Sequence, residues 1–197
     1  DETAPRLSWQ VKQEKRGAKQ TAYRVIVSTD KEKVEQGIGT VWDTGKVPSD
    51  DTFNIVYNGV PLSSGTCYYW AVKLWDKDGN EGAFSEIATF ETALLNETDW
   101  QGVWIGMGST GGGPAQIFRR EFVLDKPIAK ARAYVTGLGY YELYINGEKQ
   151  GDHLLDPAFT NYKIRVFYAT YDVTKALTTG DNCVAIMVGD GWYKNPS

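Results

Sequence analysis

The stretch of sequence that decides the fold runs Tyr140-Tyr141-Glu142-Leu143-Tyr144-Ile145-Asn146-Gly147. Apolar side chains at 141, 143 and 145 alternate with Glu142 and Tyr144, which is the period of a strand with one buried face. Both residues of Asn146-Gly147 tolerate the positive φ that a type I′ hairpin turn requires. The stretch therefore predicts a β-strand that ends in a tight hairpin.

The same two-residue alternation recurs along most of the chain. It is clearest at residues 23–28, 68–74, 131–136 and 184–188, and turn-forming residues such as Asp78-Gly79-Asn80 separate the runs. Only residues 172–177 suggest a helical turn, with Asp172 or Thr174 as its cap. Many short strands joined by turns predict an all-β protein built from sandwiches.

Length and charge limit the functions that the chain can have. Its 197 residues suffice for two modest domains or one large one, and 21 basic against 25 acidic residues give a net charge of −4. No basic patch stands out, so we expect no nucleic-acid partner. No apolar run is long enough to span a membrane. Cys67 and Cys183 fall in different predicted domains, so we expect neither an intradomain disulfide nor a metal cluster.

Aromatic residues are prominent, with seven Trp and twelve Tyr. Such residues fit the half-buried faces of sheets, and most of them are expected in the core. Some could instead be exposed and stack on the C–H groups of a sugar ring. Both interpretations stay open at this point.

The domain boundary is predicted in the polar stretch at residues 96–100, which gives domains 1–97 and 98–197. Asn96-Glu97-Thr98 also fits a glycosylation acceptor, but we interpret it as part of a linker. A new strand series begins at Trp104-Ile105. The Gly-rich residues 106–114 predict a mobile loop and not a phosphate-binding loop, since no Lys-Ser or Lys-Thr follows the glycines.

The first domain resembles a fibronectin type III-like β-sandwich. The resemblance is carried by Leu62-Ser63-Ser64-Gly65-Thr66-Cys67-Tyr68-Tyr69-Trp70-Ala71-Val72, followed by Asp76-Lys77-Asp78-Gly79. In such a corner Leu62 fills the core, Gly65 turns the chain, and the Tyr68 hydroxyl bonds back to the backbone near residues 62–65. The match predicts a fold and says little about function.

The second domain carries a longer series of motifs, listed here in chain order: Phe118-Arg119-Arg120-Glu121-Phe122, the stretch 140–147, Asp156-Pro157, Thr160-Asn161-Tyr162, Tyr171-Asp172-Val173-Thr174, Gly180-Asp181-Asn182 and Gly189-Asp190-Gly191-Trp192-Tyr193. The series resembles the N-terminal β-sandwich of bacterial α-L-rhamnosidases, a jelly-roll (galactose-binding-like) domain. The preceding domain, with Val41-Trp42-Asp43-Thr44-Gly45, is similar to the one found before that sandwich in the family.

The resemblance implies an (α/α)6-barrel catalytic domain further along the native chain, in which acidic residues hydrolyse terminal rhamnose with inversion. That C-terminal domain is the expected partner, rhamnose-containing glycans are possible ligands, and a periplasmic or secreted bacterial location is expected. The family's jelly roll continues past the Gly-Trp-Tyr segment. We therefore expect a sandwich that stops early and leaves an unpaired strand edge at the C-terminus.

Candidate acid–base groups have structural interpretations. Glycoside hydrolysis needs two carboxylates across a cleft, but Glu142 is expected to face solvent, Asp172 to cap a turn and Asp156-Pro157 to form one. His153, the single histidine, is expected at the surface. Calcium-dependent rhamnose binding in related sandwiches uses an acidic and amide pair where this chain has Gly137-Leu138-Gly139, which supply no side-chain oxygens. We expect no catalytic residue, cofactor or metal.

Three functions compete at this point: an accessory part of a glycosidase, an independent carbohydrate-binding module, and an adhesion or spacer protein without a ligand. For either of the first two, the predicted carbohydrate or interdomain contacts are Trp104, Tyr140, Asp190, Trp192 and Tyr193. Two glycines within three residues allow the last of these segments to leave its strand and face a neighbour. Alternatively, Trp192 fills its own sandwich.

Overall fold

The computed structural model describes residues 2–12, 16–107, 114–191 and 193. The regular secondary structure of the described chain is almost entirely β-strand, which confirms the all-β prediction, and the chain divides into two compact units, Asp1–Ile105 and Gly106–Ser197. The predicted boundary after Glu97 itself stays a prediction. Trp192 and residues 108–113 of the predicted Gly-rich loop lie outside the described residues.

The first unit is organised around two long strands, β2 and β5. Its elements are β1 (Arg6–Leu7), β2 (Gln20–Ser28), α1 (Lys31–Glu35), β3 (Trp42–Asp43), β4 (Ile55–Val56), β5 (Cys67–Asp76), β6 (Glu81–Phe84), β7 (Ala88–Glu91) and the 3-10 helix Glu97–Asp99. In the main sheet, β2 pairs with β3 and β5, and β5 pairs on its other edge with β6 and β7. A second sheet consists of β1 and β4.

Strand β2 is buried on both faces. Tyr23, Val25 and Val27 point into the main core, as their alternation predicts. Ile26 on the opposite face is also fully buried, because Val34 of helix α1 packs over it. The sequence prediction missed this five-residue helix, although Asp30 is a recognisable N-cap whose side chain accepts a hydrogen bond from the Glu32 amide.

The second unit is a sandwich of two antiparallel sheets. Its strands are β8 (Gln116–Leu124), β9 (Arg132–Val135), β10 (Tyr140–Ile145), β11 (Glu148–Lys149), β12 (Ala169–Asp172) and β13 (Gly180–Gly189). One sheet has the order β11-β10-β13-β8, and the other pairs β12 with β9. The two sheets share one core, made by Val135, Tyr141, Leu143, Ile145, Tyr171 and Val173.

The predicted hairpin is confirmed, because Asn146 and Gly147 join β10 to β11 with φ values of 51° and 86°. Residues 172–177 form only a turn, closed by a hydrogen bond from the Ala176 amide to the Val173 carbonyl. The Asp172 carboxylate accepts from the Thr174 amide at 3.0 Å and so caps this turn as predicted.

The expectation of an unpaired edge at the C-terminal strand is wrong for the described residues. The last strand, β13, lies inside its sheet and pairs with β10 on one side and β8 on the other. The long connections of the sandwich bring the last strand between two earlier ones, so β8 and β11 occupy the edges instead.

Candidate functional site

A polar cluster of the second unit joins Tyr141, Asp156 and Tyr171 beside its core. The Tyr171 hydroxyl donates to Oδ2 of Asp156 at 2.7 Å and lies 3.4 Å from the Tyr141 hydroxyl. Tyr141 donates in turn to the Val135 carbonyl at 3.0 Å, and its amide donates to the Asp156 carbonyl. The cluster thus ties the segment at Asp156 to strands from both sheets.

Both tyrosines of this cluster stay protonated. Burial, together with the neighbours Tyr141 and Asp156, raises the pKa of the Tyr171 hydroxyl far above its ordinary value of 10.0. Burial also raises the pKa of Tyr141. Such groups serve as fixed hydrogen-bond donors, because removing their protons would leave a charge in the core. The arrangement stabilises the loop at Asp156.

His153 extends the cluster toward solvent. Its Nδ1 lies 3.0 Å from Oδ2 of Asp156, and its ring lies 6.2 Å from that of Tyr171. The side chain is exposed, as predicted, but its carboxylate partner three residues away was not predicted. The contact ties the His153 side chain to a carboxylate that Tyr171 already anchors, so the pair is suited to holding the loop.

Two further candidate carboxylates are engaged at the surface. Glu142 accepts from Lys149 and from the Tyr144 hydroxyl, and the Lys149 hydrogen bond contributes most to lowering the pKa of Glu142 below its ordinary value. Besides capping its turn, Asp172 forms an ion pair with Arg132 at 2.8 Å. Each side chain holds neighbouring strands or turns together, Glu142 through both of its carboxylate oxygens and Asp172 through Oδ1.

Glycines bring two backbone segments together at one end of the large sheet. A Cβ on Gly139 would lie 2.4 Å from the Gly189 carbonyl oxygen, and a Cβ on Gly191 would lie 2.8 Å from the Gly139 Cα. The glycines at the end of β13 thus let its backbone pass close to the segment before β10 within the unit, while the predicted approach to another domain stays a prediction. This contact fixes where Asp190 leaves the sheet.

The predicted contact residues fall into separate groups. Tyr140 opens β10 opposite Gly189, so it lies at the same end of the sheet as Asp190. Tyr193 is 55% exposed, and its ring meets Tyr162 edge-on at 5.5 Å between ring centroids. Trp104 belongs to the other unit and is 64% exposed. Trp192 lies outside the described residues, and the roles of all five stay predictions.

A groove of about 570 Å³ lies on the outer face of the four-stranded sheet. Cross-strand partners share a face, and the register places Arg119 and Tyr144 on either side of Ala185, with Met187 beside Ile117. The floor is mostly apolar, while Arg119 and Tyr144 offer hydrogen-bonding groups. The volume falls within the usual range of small-molecule sites. Sequence reasoning missed this groove, because it depends on the strand order.

Neither cysteine is in a disulfide, and both lie half-buried on strands, Cys67 on β5 and Cys183 on β13. In the described ranges, no three side chains of His, Cys, Asp or Glu are grouped as a metal site would need. No helix of the described residues is long and apolar enough to cross a lipid bilayer.

The fold is a tandem of two β-sandwich domains, and a protein-family model matches each domain. Residues 1–96 match the family described as "Rha78A-like, N-terminal immunoglobulin domain", and residues 126–197 match "Alpha-L-rhamnosidase N-terminal domain". The chain therefore belongs to the α-L-rhamnosidase family, of which it represents the N-terminal region.

Individual relatives agree with this assignment. An α-L-rhamnosidase of Formosa agariphila is 37% identical over 213 aligned positions, covering 96% of this chain and 22% of that protein. The structure of α-L-rhamnosidase from Dictyoglumus thermophilum superposes with a TM-score of 0.90 at 42% identity over 97% of this chain and 23% of the other. That of native α-L-rhamnosidase from Aspergillus terreus gives 0.78 at 31% identity, covering 98% and 22%. The chain thus spans about a fifth of the length of these relatives.

Proposed function

We propose that this chain is a non-catalytic accessory region of an α-L-rhamnosidase, which supports the domain that hydrolyses terminal rhamnose. The observation that carries the proposal is the engagement of the carboxylates Glu142, Asp156 and Asp172. Each is held by a neighbour with a structural role, namely Lys149, Tyr171 and Arg132. A general acid and its partner must instead face a shared substrate cleft.

Incubation of the 197-residue chain with an aryl α-L-rhamnoside tests this proposal. We expect no turnover above the buffer background. A longer protein that carries the same residues together with the following domain is the positive control. Turnover that follows the 197-residue chain through successive purification steps would contradict the proposal.

Carbohydrate binding by the second unit alone is a second candidate function. It is favoured by the groove on the outer sheet face, where the Tyr144 ring and the Arg119 guanidinium flank an apolar floor. Titration calorimetry with rhamnose and with rhamnose-terminated oligosaccharides tests it. Heat that disappears in Arg119→Ala and Tyr144→Ala, but not in Phe53→Ser in the other unit, would support a sugar site in this groove.

A periplasmic or secreted location in a bacterium is part of the proposal. It assumes that the longer enzyme meets its rhamnose-terminated glycans outside the cytoplasm. Fractionation of the native cells with an antibody against the first unit tests it. Recovery of the protein only from the cytoplasmic fraction would contradict this part.

A further inference from the structure

The loop between β11 and β12, residues 151–168, exposes an unusual number of large apolar side chains. The exposed fraction is between 45% and 78% for each of Leu154, Leu155, Phe159, Ile164 and Phe167. Single exposed apolar residues are normal, but a group of them in one segment marks an interaction surface. We call this segment the 151–168 loop.

Polar groups fix the backbone of the loop at several points. Asp156 is anchored at the core by Tyr171 and by the Tyr141 amide. The Thr160 hydroxyl donates to the Arg165 carbonyl at 2.7 Å, and the Asn161 carbonyl accepts from the amides of residues 164 and 165. The loop thus keeps large apolar side chains exposed on a backbone that hydrogen bonds hold in place.

Leu155 adds backbone strain to this arrangement. Its φ of +62° lies in the left-handed region, which a residue with a branched apolar side chain seldom adopts. Strain of this kind persists where the surroundings impose it, and it is often found at functional surfaces. Here it places an exposed Leu next to the anchored Asp156.

The chain that leaves β13 returns to this loop. Tyr193 packs edge-on against Tyr162, and Tyr162 packs edge-on against Phe159 with 5.8 Å between ring centroids. The relatives carry about four-fifths of their length outside the region equivalent to this one, and residues 126–197 match a domain described as N-terminal. Polypeptide that follows Tyr193 would start from this surface.

We propose that the 151–168 loop together with Tyr193 is the surface on which the following domain of the same polypeptide docks. The inference rests on the proposed function, because it takes the chain to be the N-terminal region of a longer rhamnosidase. A covalently linked domain is held at high effective concentration, which favours it over a second copy of the chain. A glycan fits less well, because the ring pairs meet at 85° and 84° and offer no shared flat platform.

Hydrogen–deuterium exchange compares the 197-residue chain with the longer protein that carries it. We expect amides of residues 159–167 to exchange at least tenfold more slowly in the longer protein. The double variant Leu154→Ser/Ile164→Ser should lose this protection, while the melting temperature of the 197-residue chain stays unchanged, since both side chains are exposed. The matched control is Phe53→Ser/Val60→Ser, which removes two exposed apolar side chains from the first unit and should keep the protection.

Four results would overturn the proposal. The first two are equal exchange in both proteins and loss of protection in the control variant. The third is protection in the 197-residue chain that rises with its concentration, and the fourth is protection in that chain on adding a rhamnose oligosaccharide. The third result would assign the surface to a second copy and the fourth to a sugar. Rhamnoside hydrolysis by the 197-residue chain would overturn the proposed function, yet it would leave the exchange comparison unaffected. The two proposals therefore fail separately.

Discussion

The backbone amide of Ser63 donates a hydrogen bond to the hydroxyl oxygen of Tyr68, with 2.8 Å between the two atoms. The Tyr68 side chain is only 2% exposed, and its ring stacks on Phe90 at 5.1 Å between centroids. A single residue thus joins the start of β5 to the turn before it and to the paired strand β7. The bond fixes the corner through which the chain enters the main sheet.

Tyr68→Phe should destabilise the first unit by about 1 kcal/mol, because the Ser63 amide loses its partner while the ring remains packed. Urea unfolding followed by fluorescence measures the change. Tyr69→Phe is the matched control, since no hydrogen bond of the Tyr69 hydroxyl is found among the described residues. Equal stability of the Tyr68→Phe variant and the wild type would mean that the corner bond contributes nothing.

Val34→Ala tests the small second core under helix α1. Val34 is 2% exposed and packs with Ile26 and Ala71, so its truncation should cost about 1–2 kcal/mol from lost burial and a small cavity. Val60→Ala, at an exposed valine of the same unit, should change the unfolding free energy by less than about 0.5 kcal/mol. Similar effects of the two substitutions would argue that the helix is not packed on the sheet.

The ion pair between Arg24 and Asp43 predicts an acid-dependent contribution to stability. The guanidinium donates to both carboxylate oxygens, at 2.9 Å and 2.6 Å, and this holds the pKa of Asp43 below its ordinary value of 3.8. A folded-state pKa below the unfolded value gives stability that is present above the unfolded pKa and is lost as pH falls through the folded pKa.

On lowering the pH from about 6 to about 3, the wild type should therefore lose more stability than Asp43→Asn, which lacks the titrating group. Urea midpoints at the two pH values measure the loss. Asp78→Asn, at an exposed carboxylate paired with the neighbouring Lys77, should keep the wild-type dependence. An equal loss of stability between the two pH values in Asp43→Asn and in the wild type would contradict a contribution from the titration of Asp43.

Gly139→Ala should destabilise the second unit by about 3 kcal/mol, because the new Cβ would meet the Gly189 carbonyl oxygen at 2.4 Å in a backbone conformation with φ +151°. Gly147→Ala is the graded control, since it also has positive φ but open space around the new Cβ. Its cost should be limited to about 1 kcal/mol. Thermal melting ranks the two variants, and a larger loss for Gly147→Ala would contradict the close crossing at Gly139.

The fold was predictable from the sequence where a local pattern, such as alternation or a turn motif, agreed with which side chains are buried. Strand β10 is such a case, because its alternation and the Asn146-Gly147 turn agree on one register. Helix α1 was missed because five residues are too few for a helical period, and only the cap at Asp30 marks it. The corner at Tyr68 was predictable because it depends on residues within six positions of one another.

The candidate surfaces were less predictable, since they depend on where distant segments meet. The groove requires β8 and β13 to be neighbours, although their pairing partners Arg119 and Ala185 are far apart in the sequence. In the 151–168 loop, apolar residues such as Ile164 have no strand or helix period, and an apolar residue is expected in a core by default. Their exposure becomes visible only once the folded backbone of the loop is known.

Tyr171→Phe should loosen the 151–168 loop without unfolding the sandwich. The substitution removes the donor that reaches the Asp156 carboxylate at 2.7 Å, while the ring keeps its place in the core and the Tyr141 amide still donates to the Asp156 carbonyl. A half-buried carboxylate that loses a hydrogen bond favours conformations that expose it to water, so the loop should open more often.

Trypsin cleaves after Lys and Arg, and Lys163 and Arg165 provide sites within the loop. We expect cleavage there to be several-fold faster in Tyr171→Phe than in the wild type, at a temperature where both remain folded by circular dichroism. Tyr134→Phe is the control, because the described residues contain no hydrogen-bond partner of the Tyr134 hydroxyl, and its cleavage rate should match the wild type. Unchanged cleavage in Tyr171→Phe would mean that the backbone bond at Asp156 suffices to hold the loop.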